Sequence, residues 1–80
     1  MNIIYKYTLT GEGDIISAKR FLSAQIQDGK ICVWALQGEE EKQYNVYIIG
    51  TGWPAQLEED IYIGTVQQGR YVWHVFAEEI

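Results

Sequence analysis

The chain holds one histidine, one cysteine and eleven carboxylates, and any catalysis would have to be built from those. A nucleophilic triad needs a nucleophile, a base and an orienting acid. His74 is the sole imidazole, placed between Trp73 and Val75 in a strand-like run. Two readings stand: a structural histidine with its nitrogens satisfied, or a ligand contact. Cys32 lies between Ile31 and Val33 and reads as a buried, inert thiol. A reactive thiolate needs positive potential nearby, and the residue expected across from it, Gln25, supplies none. Zinc sites take about four Cys, His or carboxylate ligands, which one Cys and one His do not provide, and no calcium-loop spacing occurs. The acids fall in runs, Glu39-Glu40-Glu41, Glu58-Glu59-Asp60 and Glu78-Glu79. Such runs read as solvated loops that aid solubility, not as a spaced glycosidase pair. The expectation is therefore a protein without catalytic residues, metal or cofactor.

Binding chemistry is better represented. Gly50-Thr51-Gly52-Trp53-Pro54 combines two glycines, a hydroxyl and an indole. Glycines let backbone approach a ligand closely, and successive N–H groups can cradle an anion. Trp53 offers a stacking surface and Thr51 a hydroxyl. The segment lacks the Gly-Lys-Ser/Thr end of a phosphate loop and the third glycine of a dinucleotide fingerprint. Its plain alternative is a structural turn with Trp53 packed back onto the sheet. Lys6, between Tyr5 and Tyr7, is a second candidate, because a cation among aromatics can hold phosphate and base together. Strand neighbours point to opposite faces, so Lys6 and the tyrosines converge only if two subunits meet. Trp34 as a stacking surface and Arg70 as a phosphate contact complete the set.

These residues need strands to position them. Residues 2–9 alternate, with Ile3, Tyr5, Tyr7 and Leu9 on one side, which predicts a strand. Residues 15–20 are ambiguous between strand and a helical turn, and residues 55–60 read as a polar connection with at most one turn of helix. Asp28-Gly29 between 21–27 and 30–37 is a strong hairpin signal, since both turn residues need positive φ. A two-residue loop there places Ile26 opposite Ile31, Ala24 opposite Val33 and Leu22 opposite Ala35. Residues 43–49 form another strand. The runs 61–67 and 70–77 predict a second hairpin around Gln68-Gly69, with Thr65 opposite Val72, Gly64 opposite Trp73, Ile63 opposite His74 and Ile61 opposite Phe76. The fold expected is one all-β domain over residues 1–80, β-rich α+β if the ambiguous runs are helical. It is a small antiparallel meander of six to seven strands curling into a barrel or sandwich.

Composition limits the partners. Eighty residues with 48% apolar content make one small domain, which buries only about 60–65% of its unfolded surface. Three Trp, six Tyr and two Phe are many to hide in it, so some are expected at a subunit interface or ligand site, and a homo-oligomer is expected. A net charge of −5 opposes duplex nucleic acid, whose phosphates need a basic face. A small anion needs only one or two cations. A single cysteine suits a reducing cytosol, the first residues lack a signal-peptide order, and no apolar run approaches the ~20 residues of a membrane span.

Across nearly its whole length the chain resembles a family of small phage-encoded proteins. The resemblance rests on Tyr5-Lys6-Tyr7, Ser23-Ala24-Gln25-Ile26-Gln27-Asp28-Gly29 and Cys32-Val33-Trp34-Ala35-Leu36. It continues in Gly50-Thr51-Gly52-Trp53-Pro54, Tyr62-Ile63-Gly64-Thr65-Val66 and Trp73-His74-Val75-Phe76. Relatives often carry His where this chain has Trp53, a departure that weakens a base or metal-ligand role and favours stacking or packing. The resemblance implies a phage product acting in the bacterial host cytoplasm. It also implies a kinship with anti-CBASS sponges, which capture cyclic nucleotide immune signals without cleaving them. The leading expectation is such a binding protein, with Tyr5, Lys6, Trp34, Thr51, Gly52, Trp53, Arg70 and His74 as ligand contacts at a subunit interface. The alternative is an acidic protein–protein module that blocks a host protein. A catalytic role would need His74 exposed in a pocket beside Thr51 or a carboxylate.

Overall fold

Backbone pairing in a computed structural model, which describes residues 1–80, runs through seven strands and no helix. They are β1 (Ile3–Thr8), β2 (Asp14–Ala18), β3 (Arg20–Gln27), β4 (Lys30–Gln37), β5 (Lys42–Gly50), β6 (Ile61–Gln68) and β7 (Tyr71–Glu79). The fold is all-β, as the alternation of apolar residues predicts. The ambiguous run 15–20 is strand on both sides of a corner at Lys19, and residues 55–60 form no helical turn.

All pairings are antiparallel, in a three-stranded sheet β1-β4-β3 and a four-stranded sheet β2-β5-β7-β6. Two links of the expected meander are present, the hairpins β3–β4 and β6–β7. The other strands interleave: β1 pairs with β4, β2 with β5, and β5 with β7. The result is a sandwich of two open sheets. A single residue, Lys19, separates β2 in one sheet from β3 in the other, and its N–H donates to the Leu36 carbonyl.

Small residues set the spacing of the sheets. Ala18, Val33, Ala35, Val46, Val75 and Ala77 are wholly buried. Gly64 on β6 lies against Ala24 on β3, where an added Cβ would sit 3.2 Å from the Ala24 Cβ and 3.3 Å from its backbone nitrogen. So thin a core has little room for rings. Of the eleven aromatics only Tyr44 is buried, and Phe21 meets it edge-on at 5.1 Å.

Two registers differ from expectation. The β3–β4 turn is Asp28-Gly29, with φ of 53° and 74°, and the predicted pairs Ile26–Ile31 and Ala24–Val33 form. Beyond Ser23 a bulge brings Phe21, not Leu22, opposite Ala35. The bulge turns the phenyl ring inward and leaves Leu22 exposed, because one inserted residue exchanges the faces of a strand. In the second hairpin the loop is Gly69-Arg70, one residue later than predicted. Gly69 has φ of 61° and Arg70 does not take positive φ, the pattern of a type II′ turn. Thr65 therefore faces His74 instead of Val72, and Trp73 faces Val66 instead of Gly64. Gly64 faces Val75, and a bulge at Ile63 sets Ile61 opposite Ala77 instead of Phe76. The glycine is needed for the close approach of Ala24, not to make space for an indole.

Candidate functional site

The loop after β5 folds back on its own strand. Trp53 N–H donates to the Gly50 carbonyl at 3.0 Å, and the indole lies over Gly50, where a Cβ would meet Trp53 Cε2 at 2.7 Å. Gly52, with φ of 91°, makes the bend between them. Trp53 is packed back against the sheet, as the structural-turn reading expects, and its ring is still 57% exposed. Its ring meets Trp73 of β7 edge-on at 5.5 Å, and Tyr71 stacks on the far side of the pair, 5.5 Å from Trp73 at 20°.

These rings wall a cleft of about 310 Å³ lined by Gly50, Thr51, Trp53, Arg70, Tyr71, Val72 and Trp73. Exposed Arg70 stands at its rim, carried there by the type II′ turn. The cleft thus joins three rings, a guanidinium and a hydroxyl. A second cleft, about 360 Å³, opens where the β1–β2, β3–β4 and β6–β7 turns meet. Leu9, Ile31, Ile48, Trp53 and Trp73 form its apolar wall, with Lys30 and Gln68 at its polar edge. Gln68 ties this corner together: its Nε2 donates to the Gly29 carbonyl at 2.7 Å, and its Oε1 accepts from Trp73 Nε1 at 3.2 Å.

His74 lies beside this site, on the outer face of the four-stranded sheet. Its Nε2 is 2.7 Å from Thr51 Oγ1 and its Nδ1 3.1 Å from Thr65 Oγ1. The Thr51 hydroxyl is also placed to donate to the Val72 carbonyl at 3.3 Å. That assigns the Nε2–H tautomer, with Thr65 donating to Nδ1 and accepting from Tyr62 OH at 2.5 Å. Both nitrogens are satisfied by hydroxyls, and no carboxylate orients the ring as a triad requires. The imidazole holds Thr51, and hence the Trp53 loop, onto β7.

Of the eight residues singled out in the sequence, Thr51, Gly52, Trp53, Arg70 and His74 gather here. Tyr5, Lys6 and Trp34 lie on the other sheet. Lys6 is directly opposite Trp34 on its outer face, whereas Tyr5 and Tyr7 oppose the wholly buried Ala35 and Val33. Lys6 and the tyrosines point apart within one subunit, as strand alternation requires, and Lys6 Nζ donates to Gln27 Oε1. Cys32 is buried opposite Gln25. Sequence reasoning missed Tyr71, Trp73, Lys30 and Gln68. Tyr71 and Trp73 share one face of β7 by strand alternation, but which residues they meet across the hairpin follows from the turn at Gly69-Arg70.

At the opposite end of the same sheet the acids collect. Glu58, Glu59, Asp60, Glu78 and Glu79 surround one concave patch with Gln56. Exposed Lys42 at the start of β5 reaches exposed Glu79 at the end of the neighbouring β7 at 3.5 Å. Beside it Tyr47 donates to Asp60 and stacks on Phe76 at 6.1 Å, and Tyr62 leans on Phe76 at 5.6 Å. Burial first, then the bond to Asp60 and the charges of Asp60 and Glu78, push the Tyr47 hydroxyl far above its usual pKa.

No curated protein and no solved structure matches this chain. The family is nevertheless defined over its full length: residues 1–80 match a domain of unknown function, DUF7352, and the chain belongs to that family.

Proposed function

We propose that this chain is a binding protein that captures a small nucleotide at the Trp53 cleft and releases it unchanged. The observation that supports the reading is the cleft itself, where Trp53, Trp73 and Tyr71 stand beside Arg70 and the Thr51 hydroxyl. Stacking on an aromatic ring contributes about 1–3 kcal/mol per base and tolerates any base. A guanidinium binds phosphate through paired, charge-assisted hydrogen bonds. The sequence resemblance gives a setting, a phage protein that sequesters a cyclic nucleotide immune signal in the host cytoplasm. Exposed Ile3, Ile4 and Tyr5 on edge strand β1 favour assembly into a homo-oligomer, and Lys6 with Trp34 would then contribute from the three-stranded sheet.

Thermal melting against a panel of mononucleotides, cyclic di- and trinucleotides and adenosine diphosphate ribose isomers tests this. A ligand at ~100 times its dissociation constant adds about 2.7 kcal/mol, a shift of about 10 °C or more for so small a domain. The reading requires one ligand to shift the melt, to be recovered intact, and to lose its effect with Arg70→Gln or Trp53→Ala. Recovery of a cleaved ligand would replace capture with catalysis.

One observation favours a second reading. Eight of the eleven acids, Glu39 to Glu41, Glu58 to Asp60, Glu78 and Glu79, gather at one end of the molecule. A protein module that blocks a basic host surface would use that end. If the whole panel leaves the melt unchanged, a purified host protein bound through the acids, and released by Glu58→Gln with Glu59→Gln, becomes the better account.

A further inference from the structure

We propose that the Trp53 indole is a partition between two half-sites, so that the ligand carries two bases and two phosphates. This rests on the nucleotide reading above and names the class of nucleotide. The support is the pairing of the two clefts. Trp53 and Trp73 belong to the walls of both, and the cavities are similar, about 310 and 360 Å³. Each is at the small end of ligand pockets, which run from about 300 to 1,000 Å³, so each suits one ring system more than a whole dinucleotide. Each also has a cation of its own, Arg70 for one and Lys30 for the other. A mononucleotide uses one ring wall and one cation. A dinucleotide that straddles the Trp53 edge uses both walls and both cations.

The two cations arrive by independent routes. Arg70 is the second loop residue of the β6–β7 hairpin, and Lys30 is the first residue of β4 after the Asp28-Gly29 turn. Gln68, bonded to both the Gly29 carbonyl and Trp73 Nε1, fixes the two hairpins relative to one another. The half-sites are therefore held in one frame, which is the condition for linked groups to bind cooperatively.

Calorimetric titration of the full chain with a cyclic dinucleotide and with the matching mononucleotide separates the possibilities. Joining two half-site ligands is expected to raise affinity about 100-fold or more, with one dinucleotide per chain. Removing one charge-assisted phosphate bond costs about tenfold, so Lys30→Gln and Arg70→Gln are each expected to weaken the dinucleotide by that much. Lys30 is exposed at a turn, so the variant keeps its fold, and a far-ultraviolet spectrum verifies it. Mononucleotide binding as tight as dinucleotide binding, or a Lys30→Gln variant with unchanged dinucleotide affinity, would overturn the two-base inference and leave nucleotide capture standing. Absence of binding by either nucleotide would overturn both.

Discussion

The four-stranded sheet ends differently at its two extremities. Where β5 leaves and β6 turns into β7, three rings and the Arg70 guanidinium line a cleft around an indole that is packed and exposed at once. Where β7 ends and β6 begins, Glu58, Glu59, Asp60, Glu78 and Glu79 surround a patch without a cation among its lining residues. The charge of the molecule is concentrated at the second end. At the first end Arg70 and Lys30 lie on or beside turns that also carry Glu12, Asp14 and Asp28, so charge there is close to balanced in a protein of net charge −5, which is what the proposed anionic ligand requires. Distance helps as well, because charges separated by more than about 8 Å are largely screened at physiological salt. An acidic protein can thus hold an anion when its acids are segregated from the site.

That contrast assumes one rigid sandwich holding both ends, and the most damaging change is to part the sheets. Gly64→Val would drive a side chain into the β3 backbone at Ala24. Overpacking of this kind costs about 2 kcal/mol, read as a lower midpoint in urea with an unchanged slope. A wild-type midpoint would mean that the sheets can separate there at no cost. Gly50→Ala attacks the first end alone. The three atoms nearest the new methyl all belong to the Trp53 ring, which can swing outward, so the stability loss is expected to stay below about 1 kcal/mol. Nucleotide affinity should nevertheless fall about tenfold as a stacking surface is lost, with altered tryptophan fluorescence.

Much of the fold could be read from local chemistry, and the site only in part. Asp28-Gly29 disclosed its hairpin because two positive φ angles leave few other residues acceptable. Gln68-Gly69-Arg70 was harder: one glycine serves either position of a two-residue loop, and packing of Gln68 against Gly29 and Trp73 decides between them. The bulge at Leu22 has no signature in the sequence, since Phe21 and Leu22 are both apolar and only the thin core selects the ring. The pairing of β1 with β4 is non-local, and alternation within a strand carries no information about its neighbour. Thr51 and Trp53 were recognisable because glycines isolate them. Tyr71 and Trp73 were not, because their place depends on the turn. Segregation of the acids depended on topology alone, which brings Glu58–Asp60 of the loop before β6 together with Glu78–Glu79 at the end of β7.

A smaller change tests how the first end is held. Thr51→Val removes the hydroxyl between His74 Nε2 and the Val72 carbonyl. At this exposed position a lost hydrogen bond costs about 0.5 kcal/mol. The backbone bond from Thr51 N–H to the same carbonyl remains, so amide exchange should quicken at Trp53 more than at Thr51. Equal protection in variant and wild type would show that Gly50 and Gly52 fix the loop without the imidazole.

The smallest effect reads the field at the acidic end, through tyrosine. Tyr7 and Tyr47 are both raised above the ordinary value of 10.0, first by burial and then in part by acids: Glu41 for Tyr7, Asp60 and Glu78 for Tyr47. The folded state therefore holds these protons more tightly than the unfolded chain does. The stability they contribute is fully present below pH 10.0 and is lost as pH rises through the folded values. Phenolate absorbance should show two of the six tyrosines titrating late, and Tyr47→Phe should remove one of them. Glu78→Gln is the finer probe. It removes only the weakest contribution at Tyr47, so that step should move slightly downward and remain raised, because burial and the bond to Asp60 are untouched. If the step instead fell to the ordinary value, the charge at this end would outweigh burial, and the acidic patch would be setting the local chemistry to a degree that its open geometry does not require.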